Sequence, residues 1–141
     1  MIGCGVVGAS VGALVVWGAG AVIAHFSIAT AAQSIISGGG ASFTTFEKLK
    51  QSMGSAGAGM EWHHIVEQCQ IDRSGFPVSW VQNSNNVIRI TSEIHIQVTR
   101  YYNSVQDFTD GMQFRDWLTS MSFVEQYKWG IRILNLNYSP K

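Results

Sequence analysis

The fold of this chain is decided by the stretch EWHHIVEQ at residues 61–68, which carries the adjacent histidines His63 and His64. A loop with three glycines, GSAGAGM, precedes it at residues 54–60, and the turn-rich run DRSGFP follows at residues 72–77. A short segment with Trp, Ile and Val between two such loops is typical of a strand. We therefore expect both histidines to lie on one short extended segment.

A second strand and a helix are predicted further along the chain. Residues 86–90, NVIRI, follow a polar turn and are typical of a strand. Thr91 or Ser92 can cap a helix that continues to about Tyr102. The order strand, strand, helix predicts a compact unit in which the first strand faces the first turns of the helix.

Further helices are predicted on both sides of this unit. Thr44 and Thr45 precede Glu47 with capping-box spacing, which predicts a helix over Phe46–Met53 that stops at Gly54. Apolar residues recur at helical spacing in two later segments, Phe114, Trp117, Leu118 and Met121 in the first and Val124, Tyr127, Ile131 and Leu134 in the second. Their apolar stripes should cover the strands. The element order α, β, β, α, α, α predicts an α+β fold.

The charged residues are distributed unevenly along the chain. Residues 1–46 contain no Lys, Arg, Asp or Glu, so all nine basic and nine acidic residues lie in residues 47–141. We interpret residues 1–42 as an uncharged Gly/Ala-rich apolar leader and linker, and residues 43–141 as the functional domain. The run SGGGAS at residues 37–42 predicts a flexible connection between them.

The leader has three open interpretations. Its apolar run at residues 5–24 is about as long as a membrane-spanning helix, and Gly8 and Gly12 have the spacing of a close helix–helix contact in lipid. No Lys or Arg precedes the run, so a cleaved secretory signal is not predicted. The run could insert in a membrane, pack against a larger protein, or form a buried hairpin of the domain itself.

The net charge and the cysteines limit the function only weakly. The formal net charge is zero, so no overall basic excess indicates a nucleic-acid partner, although a bound cation would add local positive charge. Cys4 and Cys69 do not form a CxxC pair, so a zinc site built from cysteines is not predicted.

Three histidines and one asparagine are the candidate metal-binding and catalytic residues. His63 and His64 lie on the first strand, Asn86 begins the second, and His95 lies on the following helix, so His63 and His95 should meet over one metal ion. Phosphodiester cleavage needs an activated water and a cation that absorbs developing charge. One of the paired histidines can bind the ion while the other accepts a proton from water. Asn86 is predicted to orient the base or to lock the loop.

These residues carry a resemblance to a known family. Together with YYN at residues 101–103, RDWL at residues 115–118 and SFVEQ at residues 122–126, they resemble the HNH/endonuclease VII toxin nucleases. These double-histidine domains stand at the C-termini of bacterial polymorphic toxins, including Rhs-type effectors. The resemblance covers about residues 43–134.

The resemblance implies a ββα-metal (His-Me finger) fold and endonuclease activity on nucleic acid, with DNA favoured over RNA. It also implies an effector that is secreted or delivered into the target-cell cytoplasm, and a cognate immunity protein that protects the producer. Carried over by position, the roles are His63 as a metal ligand, His64 as the general base, Asn86 as the motif asparagine and His95 as a second metal ligand.

One position departs from the family pattern. Many HNH nucleases have a further histidine one helical turn after the last one, where this chain has Thr99. The third ligand is therefore open among Asn103, Glu61 and solvent. A site with so few protein ligands favours Mg²⁺, which keeps its waters, with Zn²⁺, Mn²⁺ or Ni²⁺ as alternatives.

Two other functions are compatible with the sequence. In the first, the chain is a membrane-active effector that contacts a bilayer through residues 5–24, and the histidine cluster is only a structural metal site. In the second, the chain is a non-catalytic module that zinc stabilises for interaction with a partner. Cleavage of nucleic acid is expected of the nuclease and of neither alternative, so this activity distinguishes them.

Overall fold

The computed structural model describes residues 21–138 of the chain. The elements are α1 (Ala21–Ile36), α2 (Phe46–Met53), β1 (Met60–His64), α3 (Gln70–Ser74), α4 (Val78–Val81), a 3-10 turn (Ser84–Asn86), β2 (Val87–Thr91), α5 (Ser92–Asn103), α6 (Phe114–Leu118) and α7 (Phe123–Tyr138). Helices and a two-stranded antiparallel sheet together make the fold α+β, which confirms the predicted class.

The sheet is a hairpin that places the adjacent histidines on opposite faces. β1 and β2 pair so that His63 stands opposite Ile88 and His64 stands opposite Val87. Successive side chains of a strand point to opposite faces. α5 begins directly after β2 and contacts both strands, so one face of the hairpin is covered by this helix. We call this face the α5 side and the other face the loop side.

Local capping defines the two helices next to the hairpin. The Thr45 hydroxyl accepts a hydrogen bond from the Lys48 N–H at 3.2 Å, and α2 ends at Gly54 as predicted. With Thr45 as the cap, the third helical position is Lys48, so the predicted reach of Glu47 back to the cap is wrong. Glu47 forms an ion pair with Lys50 instead, at 2.8 Å. Similarly, the Thr91 hydroxyl caps α5.

The first strand is shorter than its sequence predicts. Residues 61–68 were expected to be extended, whereas β1 ends at His64. Beyond it, the Ile65 N–H donates to the backbone carbonyl of Asn86, and the backbone of Val66 binds the side chain of Asn86. The backbone after Ile65 is therefore bound by the side chain of Asn86 instead of by β2, and the chain leaves the sheet at this point. α3 (Gln70–Ser74) overlaps the first residues of the turn-rich run at residues 72–77.

The core lies between the hairpin–helix unit and the two long helices. α1 packs against α7, and α5 also contacts α7. Gly130 lets α7 approach the end of β1, because a Cβ at this position would lie 2.2 Å from the carbonyl oxygen of Ile65. α7 thus supports the segment that directly follows the paired histidines.

The predicted leader contributes to this core. Ile28, Ala32 and Ile35 of α1 are buried in the same apolar cluster as the residues of α7. Packing thus continues across residue 42, where the charge pattern changes. The run at residues 37–42 also differs from the flexible linker expected, because it is hydrogen-bonded to the turn around Asn83, whose side-chain amide donates to the Gly39 carbonyl at 3.0 Å.

The remainder of the apolar run is not covered by these observations. Residues 1–20, which include Cys4, Gly8 and Gly12, lie outside the described residues. None of the helices within residues 21–138 combines the length and apolar character needed to cross a bilayer. The three interpretations of residues 5–24 therefore stay predictions.

Candidate metal and catalytic site

A cleft of about 320 Å³ opens beside the α5 side of the hairpin. His63 from β1 and His95 from α5 both line it, as does Thr99 one helical turn after His95. Arg73 and Arg115 add two guanidinium groups to its wall. The cleft therefore combines imidazole and cationic side chains from four elements, β1, α3, α5 and α6.

The structure brings His63 and His95 together across this cleft. Their ring centroids lie 5.4 Å apart, and the ring planes meet at 70°. Two imidazoles that bind one ion through bonds of about 2.1 Å have centroids roughly 5 Å apart. The rings meet edge to face at a spacing that is compatible with two ligands of one ion, and their role as metal ligands stays a prediction.

His63 is a neutral imidazole with an unused nitrogen. Its side chain is 7% exposed, and its Nε2 atom is buried without a hydrogen-bond partner. Burial, followed by the charges of His95 and His64, lowers the His63 pKa to about 3. Native proteins rarely leave such an atom unsatisfied. A lone pair on a neutral ring is what a cation requires, so the residue fits a metal ligand.

Glu61 fixes the orientation of His95. The carboxylate oxygen Oε2 lies 2.8 Å from Nδ1 of His95, on the same strand face as His63. With the proton held on Nδ1, the neutral ring has its lone pair on Nε2. Histidine ligands of metals commonly donate their second nitrogen to a carboxylate in this way. The sequence analysis considered Glu61 as a third metal ligand and did not predict this contact with His95.

The protein supplies few ligands beyond these two rings. In the part of the chain that the structure describes, no group of three or more His, Cys, Asp or Glu residues is arranged to hold a metal ion. The side-chain oxygen of Asn103, one of the predicted third ligands, accepts a hydrogen bond from Arg115. An ion at His63 and His95 would therefore complete its coordination with solvent or substrate oxygens.

His64 occupies the loop side of the hairpin, away from the His63–His95 contact. Its Nε2 lies 2.9 Å from the side-chain oxygen of Gln82, and its ring packs edge-on against Phe46 with centroids 4.5 Å apart. Burial lowers the His64 pKa, and the hydrogen bond with Gln82 opposes this shift. The ring is therefore a neutral base in a defined orientation. Its role in catalysis stays a prediction.

Asn86 locks the loop that connects the two strands. Its amide nitrogen donates to the carbonyl oxygens of Val66 at 3.0 Å and of Val81 at 2.9 Å. Its amide oxygen accepts the Val66 N–H at 2.9 Å. Of the two roles predicted for this residue, these three bonds correspond to the loop lock. The lock holds both ends of the connection that carries Gln82.

The charged groups around the cleft are paired with one another. Arg115 binds the Glu67 carboxylate through three contacts of 2.7 to 3.1 Å, which tie the loop after β1 to α6. Arg73 forms an ion pair with Asp116. The Cys69 thiol stays protonated, because burial and then the charge of Glu67 raise its pKa to about 11. This thiol is not an activated nucleophile.

We compared the chain with known protein families, curated proteins and solved structures. No family model, curated protein or solved structure matches the chain. The roles of the cleft residues therefore depend on their distances, burial and chemistry.

Proposed function

We propose that this chain is a metal-dependent endonuclease that hydrolyses phosphodiester bonds of nucleic acid, with DNA favoured over RNA. The observation that carries the proposal is the contact of His63 with His95 at one cleft, with a buried, unpartnered nitrogen on His63. The hairpin followed directly by α5 is the element order of the ββα-metal fold that the sequence resemblance implies. The loop-locking asparagine supports the same interpretation.

The ion would be held by His63 and His95, each through Nε2. A bound divalent ion supplies charge neutralisation at the phosphate and lowers the pKa of a nearby water. Imidazole donors suit Zn²⁺ and Ni²⁺, whereas a site completed by water oxygens suits Mg²⁺ and Mn²⁺, so all four ions belong in the test.

The remaining residues have separate tasks. His64, neutral and hydrogen-bonded to Gln82, accepts the proton of the attacking water. Asn86 keeps the loop from rearranging around that base. The guanidinium groups of Arg73 and Arg115 also line the cleft, where each is paired with a carboxylate, Asp116 and Glu67 respectively.

The test is digestion of plasmid DNA and of total RNA by the purified full chain, with each of the four ions and with chelator. The full chain is used because α1 packs into the core. We expect cleavage that requires an ion and that His64→Ala abolishes, while far-ultraviolet circular dichroism shows an intact fold. Cleavage by His64→Ala at the rate of the parent would exclude it as the base.

The sequence resemblance extends the proposal to a delivered toxin that an immunity protein neutralises. Expression of the chain inside bacteria should stop growth and degrade nucleic acid, and His64→Ala should relieve both effects. Growth arrest with membrane depolarisation and intact nucleic acid would favour the membrane-active effector. Chelator-induced unfolding without cleavage of any substrate would favour the zinc-stabilised module.

A further inference from the structure

A relay of hydrogen bonds runs from His64 to the surface of the cleft. His64 Nε2 lies 2.9 Å from Oε1 of Gln82, and Nε2 of Gln82 donates to Oε1 of Gln68 at 2.9 Å. Gln68 is exposed and lines the same cleft as His63 and His95. The relay therefore connects the loop side of the hairpin to the rim of the cleft on the α5 side.

The relay has a direction, because a primary amide has one oxygen that accepts and one nitrogen that donates. The nitrogen of Gln82 is used by Gln68, so the oxygen of Gln82 faces the imidazole. The imidazole must then donate, which places its proton on Nε2. A neutral ring carries a single N–H, so its lone pair is on Nδ1.

The Gln82 side chain is buried, and its backbone is fixed. Its side chain is 4% exposed, its backbone N–H donates to Val78 at 2.7 Å, and its carbonyl accepts the Phe43 N–H at 2.8 Å. The preceding residue, Val81, is bound by the amide of Asn86. With the backbone fixed in this way, the direction of the Gln82 amide depends on its side-chain bonds to His64 and Gln68.

We propose that Gln82 is the positioning residue of His64, that it holds the ring in the Nε2–H tautomer and so leaves the lone pair on Nδ1 as the proton acceptor, and that Gln68 sets the orientation of the Gln82 amide. This inference rests on the proposed function for the role of His64 as the base. The tautomer itself is a property of the metal-free chain and is measurable without any substrate.

The first test is long-range ¹H–¹⁵N nuclear magnetic resonance of the metal-free full chain. We expect the Nε2–H tautomer for His64, its retention in Gln68→Glu, which can only accept, and a mixture of tautomers in Gln82→Leu. Gln68→Lys can only donate, so it should turn the amide of Gln82 and convert His64 to the Nδ1–H tautomer. Position 68 is exposed, so both of its variants should fold.

The second test is kinetic. Gln82→Leu should lower kcat about 10- to 100-fold with little change in KM, because orientation of the base acts on the chemical step. The matched control is Gln126→Leu, the same change at a glutamine that is equally buried and bonded to Leu118, Met121 and Ser74. It should lose thermal stability and keep kcat.

The outcomes separate this inference from the proposed function. A wild-type His64 in the Nδ1–H form, or a tautomer that Gln68→Lys leaves unchanged, overturns the relay whatever the nuclease assay shows. An active wild type with an equally active, folded Gln82→Leu overturns the positioning role while the nuclease stands. A wild type that cuts no nucleic acid overturns both the nuclease and the catalytic role of the relay, and leaves only the tautomer.

Discussion

The two sides of the hairpin hold their histidines with different chemistry. On the α5 side, His95 is bound by the carboxylate of Glu61 at the edge of a cleft. On the loop side, His64 is buried and bound by the neutral amide of Gln82. A carboxylate partner makes an imidazole a stronger ligand, whereas the amide of Gln82 orients a ring whose burial lowers its pKa. The different partners, a carboxylate for His95 and an amide for His64, therefore suit these two imidazoles to different proposed roles.

The alternation of a strand is what separates these tasks. His63 and His64 are neighbours in sequence and carry the same functional group, yet one faces α5 and the other faces the loop. The proposed division of labour, with ion binding on one side and proton transfer on the other, follows from this geometry. Variants on each side should therefore affect different measurements.

The largest difference should appear in metal affinity. His63→Ala removes one of the two proposed protein ligands and should weaken binding of Zn²⁺ or Ni²⁺ more than about 100-fold, because loss of a residue that only supports a ligand already costs about 10- to 100-fold. His64→Ala alters the loop side and should change the affinity less than about threefold by the same reasoning. Isothermal titration calorimetry of the two variants measures this. Equal losses in both would show that the two sides form one site.

The loop side should respond most strongly in stability. Asn86→Ala leaves two carbonyls and one N–H of the buried loop without their partner. Each such group costs about 1–3 kcal/mol, so the free energy of unfolding should fall by roughly 3 kcal/mol or more. Urea denaturation measures the loss.

The control for this variant is Asn85→Ala at the exposed neighbouring position, where the change should stay within about 0.5 kcal/mol. If the two alanine variants were equally stable, Asn86 would not be a lock.

The support of the loop by α7 should have a smaller effect. A methyl group at Gly130 would meet the carbonyl of Ile65, so Gly130→Ala should lower the free energy of unfolding by about 1–3 kcal/mol through overpacking. Lys128→Ala, an exposed change on the same helix, is the control. Thermal or urea denaturation measures both. A Gly130→Ala protein as stable as the control would mean that α7 does not brace the end of β1.

Local signals explain which parts of the fold were predictable from sequence. The bounds of α2 depend on Thr45 and Gly54, which act on their own helix, so the sequence predicts them correctly. The end of β1 depends on Asn86, which binds Val66 from 20 positions away. Likewise, the absence of charge in α1 predicted a separate leader, whereas its packing on α7 depends on apolar contacts that a charge pattern does not describe.

The candidate site shows the same limit. The contact of His63 with His95 followed from element order, because a helix that starts at the end of β2 must fold back over the hairpin. The partner of His64 did not, because Gln82 reaches it only through the path of the connecting loop, 18 positions along the chain. Residues that position others are thus harder to predict than those that bind, since their residue types carry no distinctive chemistry.

The smallest expected effect tests the carboxylate on the α5 side. Glu61→Gln keeps an oxygen that can accept the proton of His95 Nδ1 but removes the negative charge. Metal affinity should fall about tenfold, at the lower end for an outer partner, because ring orientation survives and only the electrostatic support is lost. Glu93→Gln, an exposed change in the first turn of α5, is the control in the same calorimetric titration. An affinity unchanged in Glu61→Gln would show that the carboxylate contributes orientation alone, and the two sides would then differ only in exposure.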